Sequence, residues 1–310
     1  MHPFPLWLVW ALAGHLANGA AFVIDNTLLR KSFKRPATYA GIIGLLGVLT
    51  VILLPFGVRM PTLAGLPWIV ISGATFILSL WAFFAALAKG EASRVIPIIG
   101  SLIPILTLAG TFMFLGERLT QPQFVGFGLL ILATVILSGG SVKSRLTMPT
   151  IRMSVLAAVL FAVSSVTVKI AYISDGFLTT FAVSRFFGVA AALVILSIDR
   201  EAIKEVRHAL FPRSSKNTSH RAHGYGAVML VITAQTLGAL GYVGVQYATS
   251  LGSAALVNAL QAVQYVLLVV VAFALHTRAP DLLGEDLTVS TVIRKSVAIA
   301  IAGAGMWLIV

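Results

Sequence analysis

The sequence predicts an all-α integral membrane protein of ten transmembrane helices, arranged as two inverted five-helix repeats. Three observations carry that reading. Hydrophobic residues make up 58% of the chain and charged residues 10%, with a mean hydropathy of +0.98. A soluble domain carries about a quarter charged residues, so this chain has too few to cover a soluble surface. Ten mostly apolar stretches follow one another, separated chiefly by short links. The basic residues then fall almost wholly on one side of the plane that ten crossings define.

The stretches are continuously apolar rather than alternating, which favours helices over barrel strands. Each has roughly 17 to 24 residues, enough to cross ~30 Å of hydrocarbon at about 1.5 Å per residue. The first, 6–28, has no basic region before it and no convincing small-residue cleavage site, so it reads as a span and not as a signal peptide. Spans at 39–57, 66–88, 93–115 and 122–140 complete the first half; Pro97 and Pro104 should bend or loosen the fourth. The second half supplies 152–172, 177–199, 225–248, 253–276 and 291–310. The one long link, 200–224, is basic. Within it Ala202, Ile203, Val206, Ala209 and Leu210 stand near helical spacing, with Lys204, Arg207 and His208 on another side. That pattern fits a short helix on the membrane surface or a solvated connector.

Of the 22 Lys and Arg residues, only Arg59 and Arg118 fall on one side and only Lys169 and Arg185 deep within spans; all the others are counted on the second side, among them Arg94, Arg152, Arg294 and Lys295 at the span ends that meet it. By the positive-inside rule the crowded side is cytoplasmic, which puts both termini outside. A formal charge of +12 on a soluble chain would suggest nucleic acid, but between apolar spans it encodes topology. The halves also resemble each other. A shift of 144 places Asp25 on Lys169 and Gly44 on Gly188; a shift of 161 places Ser72–Thr75 on Thr233–Thr236 and Trp81 on Tyr242. Gly116-Glu117-Arg118-Leu119-Thr120 recurs as Gly284-Glu285-Asp286-Leu287-Thr288. The repeats are therefore read as 1–140 and 141–310, the second containing the 200–224 loop. Five spans per repeat is an odd number, so the repeats must be inverted, as in many secondary transporters.

Ala92-Ser93-Arg94-Val95-Ile96-Pro97, Leu102-Ile103-Pro104, the Gly116–Thr120 run, Gln123 and Gly126 together resemble the EamA repeat of the drug/metabolite transporter superfamily. The resemblance is close over most of the first half and looser in the second. It implies a ten-helix transporter, often an exporter of amino acids, other metabolites or drugs. The chain departs from the pattern in two ways. Asn258 and Tyr265 stand where a second copy of Pro97 and Pro104 would be, and the charge bias opposes the cytoplasmic termini that the family usually has.

Polar groups inside spans are costly, so they mark the candidate site. His15 and Asn18 share a face near the middle of the first span; His15 could bind solute or a transported proton, or be a neutral histidine bonded to another helix. Asp25, a second coupling candidate, and Lys169 lie near span ends and could snorkel. Arg185 is too deep for that and needs a partner, whether an anionic group or backbone carbonyls. Asn258, Gln261, Gln264 and Tyr265 recur at helical spacing in the ninth span, as lining for an uncharged or zwitterionic solute or as interhelical glue. Trp81 and Tyr242, matched across the repeats, could frame a cavity or simply pack. Gly41, Gly44 and Gly47, like Gly238, Gly241 and Gly244, permit close helix contact, and Glu117 reads as a helix-end carboxylate.

The chain has no cysteine, which removes disulfides, thiolate metal sites and cysteine nucleophiles. No zinc spacing, Walker loop or dinucleotide fingerprint occurs, so no metal, cofactor, ATP or nucleic-acid partner is expected. The expected partners are a small solute and membrane lipids; monomer and homodimer stay open. A secondary transporter of the cell membrane explains the whole pattern. An embedded enzyme would need a catalytic cluster that the spans lack, and a structural or lipid-scrambling bundle is the remaining alternative. The charge count makes a checkable forecast: reporters fused at Ser215 and Val310 should signal from the cytoplasm and from outside, respectively, and a cytoplasmic signal from Val310 would refute the charge-based orientation.

Overall fold

The computed structural model of the protein describes residues 5–28, 35–90, 92–138, 147–210, 221–275 and 288–310, and for 25–28, 92–93, 208–210, 221–232, 272 and 275 the backbone alone. Every regular element among the described residues is helical. In chain order these are α1 (Leu6–Leu28), α2 (Pro36–Leu45) with a 3₁₀ continuation (Leu46–Phe56), α3 (Leu66–Lys89), α4 (Ala92–Leu115), α5 (Gln121–Ser138), α6 (Met148–Ile198), α7 (Arg200–Leu210), α8 (Arg221–Leu251), α9 (Ala254–Ala259), α10 (Gln261–Leu275) and α11 (Val289–Ile309). Eight stretches have the length and apolarity to cross a membrane. One of them, the 51-residue α6, holds two arms, and the 31-residue α8 adds a further long helix. Among the described residues ten membrane-length segments result, near the expected positions.

The two arms of α6 meet at Gly176, whose φ of 74° and ψ of 169° no L side chain adopts readily. The corner is internally bonded. Thr180 Oγ1 donates to the Ala171 carbonyl at 2.9 Å, and Asp175 accepts from the Thr62 backbone N–H (2.6 Å) and hydroxyl (3.2 Å). The turn before α3 is thereby clasped to the corner of α6.

Sequence periodicity predicts one α-helix over 39–57, whereas its second part is wound as 3₁₀. The run Val48, Thr50, Val51 and Ile52 is β-branched, Pro55 has no N–H, and the Thr50 hydroxyl donates to the Gly47 carbonyl at 2.7 Å, competing with α-helical pairing. The 200–224 link also resolves in part. Its first residues form α7, which buries Ala202 and Val206 against Ala37, Ala40, Ala192, Ile195 and Leu196. Arg35 grips Asp199 with two bonds of 2.9 and 3.0 Å, and the Thr38 hydroxyl donates to Glu205 at 2.7 Å. Burial alone would raise the Asp199 carboxyl, but the Ala202 N–H and Arg35 outweigh it and hold it below the usual carboxylate range. Residues 211–220 of the link lie outside the described residues.

Two compact units form, and each takes helices from both sequence halves. The first contains α1, α5, α8, α9, α10 and α11; the second contains α2, α3, α4, α6 and α7. In the second, α3 packs along α6, where Ser164 donates to the Ser72 carbonyl at 3.0 Å and the bare backbone of Gly73 lies on Ser184. Gly44 and Gly47 bring the end of α2 and its continuation onto Ala192 and Arg185 of α6. In the first unit, α1 packs along α8. A Cβ at Gly14 would stand 2.8 Å from the Gly241 carbonyl, and a Cβ at Gly244 3.2 Å from Gly14 Cα. Trp10 meets Tyr247 edge-on at 5.3 Å. Gly126 of α5 and Gly305 of α11 likewise face each other's carbonyls.

The Gly116–Thr120 run has a purely local explanation. Gly116, at φ 65°, closes α4 as its N–H reaches the Phe112 carbonyl at 3.1 Å. Thr120 and Gln123 then form a reciprocal capping box at the start of α5. Thr288, which the sequence comparison sets against Thr120, caps α11 by accepting from the Thr291 N–H at 3.3 Å. Close packing of α1 on α8 supplies a paired test. Gly241→Ala should cost about 1–3 kcal/mol through overpacking against Asn18 and lower the thermal midpoint, whereas Gly238→Ala, whose nearest neighbour stands 3.7 Å away, should not. Equal midpoints for the two variants would refute this contact.

Candidate functional site

The ninth span is built in two pieces. Ser253 caps α9, accepting from the Leu256 N–H at 3.2 Å; α9 ends at Ala259, and α10 restarts at Gln261 after a tight turn in which the Val263 N–H reaches the Leu260 carbonyl at 2.9 Å. The sequence reading treats 253–276 as one helix, and the structure corrects that. A helix end leaves carbonyls without i+4 partners. One of them, on Val257, accepts a bond of 2.8 Å from His15 Nε2 on α1. A carbonyl can only accept, so Nε2 carries a proton, and in the neutral ring Nδ1 is then the bare nitrogen. His15 is 5% exposed, and its Nδ1 has no hydrogen-bond partner among the described residues.

Around this contact α1 acts as a hub within the first unit. Asn18 lies against Gly241 of α8. Gly19 brings α1 onto Gln264 of α10, whose Cγ would stand 3.3 Å from a Cβ at position 19. On α10, Gln261 Nε2 donates to the buried Tyr265 hydroxyl at 3.1 Å; on α8, Gln246 Nε2 donates to the Tyr242 hydroxyl. Asn258, Gln261 and Gln264 are half-buried. The polar stripe of the sequence therefore exists, but it straddles the break: Asn258 belongs to α9 and the other three residues to α10. Seven expected site residues, His15, Asn18, Tyr242, Asn258, Gln261, Gln264 and Tyr265, thus belong to one unit. The side chain of Asp25 lies outside the described residues.

Trp81 and Arg185 belong to the second unit. Trp81 packs between a cluster holding Ile77 and Leu196 and one holding Val95 and Ala157. The Arg185 guanidinium lies over the Phe76 ring at 4.4 Å and near Phe181 at 5.8 Å, so ring quadrupoles face the cation. Lys169 lies within electrostatic reach of Glu117 in the same unit. Sequence reasoning missed one residue. Lys295, counted with the basic loops, is inside α11 and 4% exposed. Its signal was present, as a lysine followed directly by an apolar run too short to span without it.

The His15 bond gives a direct test. His15→Leu strips the Val257 carbonyl of its donor and should cost about 1–3 kcal/mol, while His15→Gln, which can still donate, should cost less; thermal unfolding in lipid nanodiscs reads both. Identical losses would show that this bond does not hold the break.

Comparison with known proteins places the fold. Residues 5–139 match the model of the EamA-like transporter family. An uncharacterized protein of Methanocaldococcus jannaschii is 37% identical over 73 residues, which are 24% of this chain and 53% of that protein; the chain thus spans about half the length of the curated relative it matches. A solved crystal structure is similar over 98% of both chains, with a TM-score of 0.63 at 19% identity, a likeness of fold alone.

Proposed function

We propose that this chain, whose residues 5–139 match the EamA-like transporter family, is a membrane transporter of the drug/metabolite type that moves a small, uncharged or zwitterionic organic solute out of the cell by alternating access. The observation that carries the proposal is the break between α9 and α10, met by His15. The break is a single turn at Leu260, whose backbone stays right-handed (φ −64°, ψ −6°), and interrupted helices are where secondary transporters hold their cargo. Asn258, Gln261, Gln264 and Tyr265 flank the break and offer amide and hydroxyl groups that both donate and accept. Asn18 and Tyr242 extend that set. Within the second unit, Trp81 and Arg185 are separate candidates for solute contact, Arg185 as the group that draws an anionic moiety.

The driving force is an ion gradient or the solute's own gradient. His15 is the first coupling candidate, because its bare Nδ1 can take a proton without breaking the Nε2 bond to Val257; Asp25 is the second. The division into inverted repeats, 1–140 and 141–310, belongs to the same proposal. It is supported by the matching caps at Thr120 and Thr288, and by the packing of α1 along α8 in one unit as α6 packs along α3 in the other. Residence in the cell membrane, with the basic 200–224 loop inside, follows from the charge bias.

Because the chain has no native cysteine, single-cysteine probes report cleanly. Cysteines at 258, 261 and 264 should react with a small aqueous thiol reagent and be protected by transported solute, and Gln261→Ala should weaken solute binding roughly tenfold or more, the loss of one to two hydrogen bonds. If all three cysteines stay unreactive in folded protein, the stripe is helix-packing glue and the site is elsewhere.

A further inference from the structure

We propose that α7 carries a binding site for the headgroups of anionic phospholipids. The helix has two faces. Ala202 and Val206 are buried on α2 and α6, and Glu205 on the same side is engaged by Thr38. The opposite face exposes Arg200, Ile203, Lys204 and Arg207. At 100° per residue, Arg207, Arg200 and Lys204 fall within about 60° of one another, with Ile203 beside them. The acidic groups nearby do not neutralise the stripe. Asp199 is held by Arg35, and Glu201 offsets only Lys204, through an exposed pair at 2.6 Å. The stripe keeps a net positive charge.

Its position selects the ligand. α7 begins two residues after Ile198, the last residue of α6, and Ile198 is 80% exposed, with Leu193 and Val194 exposed on the turn above. That apolar flank has the character of a lipid-facing surface, so the cationic face begins where the hydrocarbon ends. Ile203 can enter the acyl boundary while the guanidinium and ammonium groups meet phosphate. Docking costs little order, because α7 is already folded and pinned at Asp199 and Glu205.

The test uses the full chain in nanodiscs of phosphatidylcholine alone or with phosphatidylglycerol, and retained lipid is counted by native mass spectrometry. Wild type should retain phosphatidylglycerol in preference to phosphatidylcholine. Each cation near an acidic leaflet is worth roughly a fivefold change in binding, so the triple change Arg200→Gln, Lys204→Gln and Arg207→Gln should lower that retention on the order of tenfold or more. These side chains are exposed, so melting in pure phosphatidylcholine should be unchanged, which certifies the fold. Arg200→Lys with Arg207→Lys should keep retention, and soluble glycerol phosphate should fail to compete. Undiminished retention by the folded triple variant, or no preference in wild type, overturns the proposal. Competition by glycerol phosphate at the same concentration would overturn the lipid assignment in favour of a free-phosphate site.

Discussion

Backbone polar groups in hydrocarbon have no water to turn to, and the architecture follows from that constraint. Wherever a helix breaks or tightens, a side chain takes up the carbonyl released. His15 does so for Val257 at the α9–α10 break, Thr180 for Ala171 at the corner of α6, and Thr50 for Gly47 in the 3₁₀ segment. The first case differs in that the donor comes from another helix. Its bond joins the two elements around which the polar residues gather, so one hydrogen bond both permits the break and positions it.

Charge is handled by the same economy. Arg185 finds aromatic faces, Lys169 has Glu117 within reach, and Arg35 finds Asp199 beyond the apolar segments. Association of apolar helices gains nothing from lipid exclusion, so it relies on close contact, and small residues supply that at Gly14, Gly44, Gly126 and Gly305. Within each unit, close fit of small residues supplies the contact between helices.

Much of this was legible in the sequence. Hydropathy located all ten segments because length and apolarity are fixed by bilayer thickness. Spacing placed His15 and Asn18 on one face, and the recurrence of Gly-Glu-x-Leu-Thr marked two capped helix starts, of which Thr120 and Thr288 are the structural remnants. Other features were not legible. The break at Leu260 has no proline or glycine to announce it, since Ala259, Leu260 and Gln261 are ordinary helix formers; it exists through tertiary contact. The contact of Arg185 with the Phe76 ring could not be read from composition, because it depends on which helix becomes the neighbour. The docking of α7 was half visible. Its amphipathic spacing was there, but the anchors, Arg35 and Thr38, are more than 160 residues away in the chain.

The 3₁₀ segment changes how far a stretch of chain can reach. Eleven residues wound at about 2.0 Å apiece extend about 22 Å, where an α-helix would extend about 16 Å. Together with α2, the 21 residues of Pro36–Phe56 therefore bridge about 37 Å, several ångströms beyond the ~30 Å hydrocarbon thickness. This segment is the stretched member of the set. Rewinding it as α would shorten the segment by about 5 Å and put the turn clasped to Asp175 under tension.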